Sequence, residues 1–132
     1  MKRALGCAAL FGCLLASSAL AHHSLAGVYQ MDKETELSGT VVDVKFTNPH
    51  GSLGVAVKNA DGSTTKWVMT LGSAISLAQR GIGKTGANAI HTGDEIKIKF
   101  QPAKNGSPLG FLKTVTMPDG RVIQISGGGP NE

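Results

Sequence analysis

Period-two alternation of apolar and polar residues is what most limits the shapes open to this chain. Ile96, Ile98 and Phe100 alternate with Lys97 and Lys99, Leu53, Val55 and Val57 repeat the spacing, and Val42, Val44 and Phe46 alternate with Asp43 and Lys45. Successive strand side chains point to opposite faces, so each run is expected to bury one face and wet the other. On this reading Val42, Val44 and Phe46 share a buried face. Strands are expected over 37–46, 53–57, 64–69, 95–100, 109–117 and 121–125.

Turn chemistry falls between these runs. Thr47-Asn48-Pro49-His50-Gly51, Asn59-Ala60-Asp61-Gly62, Thr92-Gly93-Asp94, Asn105-Gly106 and Pro118-Asp119-Gly120 all combine residues that break a ladder or favour a turn. One stretch changes period. Ser73 is a candidate N-cap, Ala74, Leu77 and Ala78 recur at helical spacing, and Gly81 can end the helix. Three strands, a short helix and at least two more strands give the order of an OB-type barrel. The expected fold is all-β with one short helix, a small OB-like barrel of five to six strands, with a β-sandwich as the alternative.

The N-terminus reads as an export signal. Lys2 and Arg3 precede an uncharged apolar run, and Ser17-Ser18-Ala19-Leu20-Ala21 ends in the small-x-small pattern of a signal-peptidase site. The apolar run falls short of the ~20 residues a membrane span needs. Residues 1–21 are therefore expected to be a cleavable signal, 22–126 a single domain and 127–132 a disordered tail. The expected address is the periplasm, with the extracellular space as the alternative and no transmembrane segment after cleavage. A lipoprotein would need a small residue where Phe11 stands before Cys13, and that reading is set aside.

Cleavage has chemical consequences. Cys7 and Cys13 are the chain's two cysteines, so the remainder has no thiolate ligand, disulfide or cysteine nucleophile. Removing Lys2 and Arg3 leaves 11 basic against 9 acidic residues, a balance too even for a polyanion-binding surface. The aromatics after the cut are Tyr29, Phe46, Trp67, Phe100 and Phe111. The last four occupy strand positions expected to feed the core, which leaves no stacking platform for nucleic acid.

Motifs for several chemistries are missing. Gly83-Lys84-Thr85 resembles the end of a phosphate loop, but Ala78 stands where the upstream glycine is needed. Neither H-E-x-x-H nor G-x-S-x-G occurs. The carboxylate pairs Glu34/Glu36 and Asp94/Glu95 sit at strand entries and read as solvated. No catalytic residue is assigned.

The most informative chemistry is nitrogen. A cut after Ala21 makes His22 the first residue, so its free amine and imidazole form a chelating pair next to His23. The amine titrates near ~8 and imidazole near ~6.5, so both release protons readily on metal binding. His50, in the Asn-Pro-His turn, is the candidate third ligand. An amine with two imidazoles suits Cu(II). Met31 or Met69 is a candidate soft ligand for Cu(I), and the amide of His23 is an alternative donor. His91, beside Thr92-Gly93-Asp94, reads as a loop residue.

These residues also carry a resemblance. Ala21-His22-His23-Ser24, Phe46-Thr47-Asn48-Pro49-His50, Trp67 leading to Leu71-Gly72-Ser73, Arg80-Gly81, Thr92-Gly93-Asp94 and Asp119-Gly120-Arg121 resemble, in order, a family of small exported bacterial proteins of unknown function. Phe46 stands where members often carry Trp, and Ala74-Ile75 where they tend to carry Pro-Asn. The resemblance implies a periplasmic small β-barrel and no particular activity.

Three functions are therefore weighed. The leading expectation is a periplasmic binding or accessory protein that holds a metal ion, copper favoured, through His22, His23 and His50. The alternative is a metal-independent OB-type module that binds a peptide, glycan or periplasmic protein partner, with Asn48, His50 and Trp67 as contact residues. A copper redox enzyme comes third, because so small a chain has little surface for a substrate.

Overall fold

The computed structural model describes residues 25–126. The expected signal, His22, His23 and the expected tail over 127–132 lie outside the described residues. Three strands come first: β1 (Thr35–Lys45), β2 (Ser52–Lys58) and β3 (Thr64–Thr70). Helix α1 (Ala74–Gln79) and the two-residue strands β4 (Ile82–Gly83) and β5 (Asn88–Ala89) follow. Strands β6 (Glu95–Pro102), β7 (Leu109–Thr116) and β8 (Val122–Gln124) complete the domain.

The main sheet runs β3-β2-β1-β6-β7-β8, and β3 also pairs with β7. That second pairing is parallel, Val68–Thr70 against Leu109–Phe111, and it closes β1, β2, β3, β6 and β7 into a five-stranded barrel. With α1 between the third and fourth barrel strands, this is the OB topology, and the sandwich alternative is excluded by the closure.

Alternation does its expected work in most strands. Leu53, Val55, Val57, Ile96, Ile98 and Phe100 all point into one core with Val41, Met69, Leu112 and Val115. The exception is β1. Its pairing with β2 shifts register between Val41 and Asp43, so Val42 is an extra residue on that strand. A bulge of this kind reverses the inside–outside alternation beyond it. Val41 is therefore buried and Val42 is 41% exposed, against the expectation that Val42 shared the buried face of Val44 and Phe46. The strands approach closely at Gly39, where a Cβ would lie 2.8 Å from Val55 Cγ1 and closer still to the Ala56 carbonyl oxygen.

Helix α1 forms where its cap and period predict. Ser73 Oγ accepts the Ser76 N–H at 3.2 Å, which satisfies one of the orphan donors of the first turn. Gly81 follows the C-cap at φ +69°, a left-handed conformation that glycine adopts without strain. Leu77 is the helix's buried residue and packs into the core. Arg80 then ties the helix to the end of the chain, donating to the carbonyls of Ser76 at 3.3 Å and Ile125 at 2.8 Å.

Residues 25–31 form a strap across the barrel wall. A helical turn over 25–28 leads to Tyr29, which bridges to Ala103. Gln30 N–H donates to the Pro102 carbonyl at 2.9 Å, and Lys104 N–H to the Val28 carbonyl at 2.9 Å. Gln101 lies beneath this strap and donates to the Met31 carbonyl at 2.6 Å. None of the helices among the described residues is long and apolar enough to cross a membrane.

Candidate functional site

The strap, the β1–β2 loop, the start of α1 and the outer face of β7 enclose a cleft of about 370 Å³. Its apolar walls are Leu25, Met31, Pro49 and Phe111, and His50 and Lys113 bring nitrogen to it. A larger groove of about 510 Å³ lies over Ser38–Thr40, Ala56 and Glu95, but it is a shallow surface feature that holds no imidazole.

Backbone pairing sets the His50 loop in place. Gly51 N–H donates to the Gly72 carbonyl at 3.0 Å, Leu71 N–H to the Gly51 carbonyl at 2.9 Å, and Ala74 N–H to the Thr47 carbonyl at 3.1 Å. Thr47 Oγ1 donates to the His50 carbonyl at 3.0 Å, and the Asn48–Pro49 bond is cis. The loop is thereby joined to the segment that caps α1, and His50 is left exposed at the cleft.

A second bulge builds the opposite wall. In the β6–β7 pairing, Lys99 faces Thr114 and Phe100 faces Leu112, which leaves Lys113 as the extra residue on β7. Phe111 and Lys113 both face outward there, and the Lys113 ammonium lies 6.0 Å from the Phe111 ring centroid. Gly110, between the two strands' aromatics, makes room for Phe100 inside the barrel: a Cβ at this position would overlap the Phe100 ring.

Most hydroxyls at the cleft are already committed to the fold. Ser73 Oγ caps α1, Ser76 Oγ donates to the Ser73 carbonyl at 3.3 Å, and Ser126 Oγ donates to the Leu112 carbonyl at 2.5 Å. The His50 imidazole and Lys113 ammonium differ, having no hydrogen-bond or ion-pair partner among the described residues. Among the described residues, no aspartate or glutamate lines the cleft.

Of the residues singled out from sequence, the cleft gathers His50 and Met31 and not the others that are described. Met69 is fully buried in the barrel core, which removes it as a metal ligand, whereas Met31 is 42% exposed. Trp67 packs on the core with its ring centroid 5.3 Å from Phe100 and does not line the cleft. Asn48 lies next to Pro49 but is not part of the lining either. His91 bonds the Lys84 carbonyl at 2.9 Å and serves its own loop, as its sequence context suggests. The described residues contain no group of three His, Cys, Asp or Glu side chains placed to hold a metal ion.

Phe111 and Lys113 are the functional candidates that alternation missed. Phe111 was expected to feed the core with the other strand aromatics, but it stands on the outer face and stacks on Tyr29 with ring centroids 5.8 Å apart. Its neighbours carry the signal: Gly110 on one side and Leu112 on the other are both buried, which puts Phe111 outside.

The fold is a closed OB-type barrel with a cleft of about 370 Å³ on its outer wall. The chain belongs to a family of unknown function, DUF6152, whose model matches residues 12–113. No curated protein and no solved structure matches the chain.

Proposed function

We propose that the protein is a periplasmic metal-binding accessory protein, copper favoured, whose site joins the amine and imidazole of His22, the imidazole of His23 and His50. The observation that carries this reading is that Leu25 and His50 line the same cleft. Leu25 is three residues after His22. Three residues of extended chain span at most about 11 Å, so the linker from Leu25 is short enough to hold the His22 and His23 nitrogens within reach of the cleft that His50 lines. Met31 adds a thioether at the same cleft. The described lining residues include no carboxylate, which disfavours calcium and magnesium, while imidazole and thioether suit copper in both oxidation states.

Calorimetry with Cu(II) on protein that begins at His22 tests the proposal. One tight equivalent is expected, with affinity falling about tenfold or more in His22→Ala and in His50→Ala. Protein that keeps Ala21 should bind more weakly, because its amine is displaced by one residue. Binding no tighter than to the denatured chain, or unchanged in both variants, overturns the reading. The intact mass of the secreted protein tests the cut after Ala21.

A further inference from the structure

We infer that the cleft bordered by Phe111 and Lys113 binds a small organic carboxylate, with Lys113 taking the carboxylate and the apolar walls taking the body of the molecule. This goes beyond metal binding and does not require it.

The case starts from charge. Among the described residues, Lys113 is the only lysine or arginine lining the cleft, and no aspartate or glutamate lines it. Some other cations do lie against carboxylates: Lys99 is 3.6 Å from Glu36 and Arg121 3.2 Å from Asp119. Lys113 is instead half-buried against an aromatic face, where its nearest compensation is the weak field of the Phe111 ring. A part-desolvated ammonium in such a place favours an anion, because a charge-assisted hydrogen bond forms with little competing water.

The shape argues for the rest of the ligand. Leu25, Met31, Pro49 and Phe111 present aliphatic, thioether, ring and aromatic surface around that one cation. A volume of about 370 Å³ falls in the range of small-molecule clefts, about 300–1,000 Å³, which pair apolar walls with a few placed polar groups. A phosphate ester would ask for more than one cation and would waste the apolar walls. A neutral hydrocarbon would cover Lys113 without compensating its charge, which costs more than the contact returns. A monocarboxylate with an apolar body meets both requirements.

The strand is also shaped for the task. Lys113 is the bulged residue of β7, and its carbonyl accepts the Ile125 N–H at 2.8 Å, so the backbone at this point is pinned on its far side. Bulges re-aim side chains beside binding sites. This one projects Lys113 beside Phe111 on the outer face.

Phenylacetate is the probe, titrated into 15N-labelled protein in the presence of EDTA so that no metal takes part. Saturable amide shifts are expected at Phe111, Lys113, Ser73 and His50. Affinity should fall about tenfold or more in Lys113→Gln, recover in Lys113→Arg, and be about tenfold or more lower for phenylacetamide than for phenylacetate. Saturable binding in EDTA separates this proposal from the copper site, and His91→Ala, which lies outside the cleft, should leave phenylacetate binding unchanged. Acetyl-Gly-Phe forms a second arm: tighter binding than phenylacetate assigns the cleft to peptide C-termini, weaker binding to free acids. Shifts scattered away from the cleft, equal binding of acid and amide, or an unaffected Lys113→Gln would overturn the inference.

Discussion

The Tyr29 hydroxyl lies 2.7 Å from Thr70 Oγ1, so the strap that leads away from the N-terminal histidines is fastened to the end of β3. Tyr29 is 4% exposed and its ring also meets Phe111, a wall of the cleft. One side chain thus ties the start of the domain to the barrel and to the candidate site. Tyr29→Phe keeps the ring and loses the hydrogen bond, and should cost about 1 kcal/mol by urea denaturation. Tyr29→Ala should cost about 3–5 kcal/mol. It should also weaken the proposed copper binding, because the strap that brings Leu25 to the cleft is loosened.

The two closest backbone approaches predict an ordered pair of effects. At Gly110 an added methyl would overlap the Phe100 ring and come to 3.0 Å from Met69 Sδ. At Gly39 it would overlap the Ala56 carbonyl oxygen, which is backbone and cannot rotate away. Gly110→Ala should therefore destabilise by about 1–3 kcal/mol, the usual cost of overpacking. Gly39→Ala should cost more, and thermal melts of the two variants side by side check the order.

Two turn carboxylates set an acid limb to stability. The Arg121 backbone N–H at 3.0 Å from Asp119 Oδ1, helped by the guanidinium, holds the Asp119 carboxyl below the ordinary aspartate range. The Ser63 hydroxyl, with its backbone N–H, does the same for Asp61. A carboxyl depressed in the folded state contributes its stability above the unfolded value of ~3.9, and that contribution is lost as pH falls through the folded value. Carboxyl 13C titrations should place both midpoints below the ordinary value. Asp119→Asn and Ser63→Ala should each flatten the fall in stability on acidification, and unchanged acid limbs in both variants would refute the assignment.

How far the sequence could be read depended on whether alternation ran unbroken. The β2 and β6 faces were legible because the buried apolar side chains Leu53, Val55 and Val57, and Ile96, Ile98 and Phe100, keep period two. The Ser73 cap and the Gly81 stop were legible because caps are local chemistry. The two bulges were not, since Val42 and Lys113 look like ordinary members of their strands until the partner strand supplies the register. That blind spot covers the candidate site: Phe111 and Lys113 face the cleft because of how β7 lies on β6. Nothing in the local spacing separates Met31 from Met69 either. One sits on the strap and the other at a barrel position paired with Leu53.

Trp67 gives the sharpest test of where the site ends. Its aromatic bulk suggested a contact residue, yet it pairs across the ladder with Val55 and rests against Phe100 inside the barrel. A core role and a binding role predict opposite patterns of loss. If Trp67 serves the core, Trp67→Leu should lower the urea midpoint, with a cost of about 1–3 kcal/mol, because a partly exposed ring loses less than a fully buried one. The folded variant should still bind Cu(II) and phenylacetate as the parent protein does, since neither His50 nor Lys113 leans on that ring. His50→Ala should show the reverse, leaving the midpoint almost unchanged, because the imidazole is exposed and unpartnered among the described residues, while removing copper affinity. Measuring midpoint and affinity on both variants separates barrel from cleft, and a Trp67→Leu protein that folds normally but binds neither probe would move the site onto the β2–β3 face.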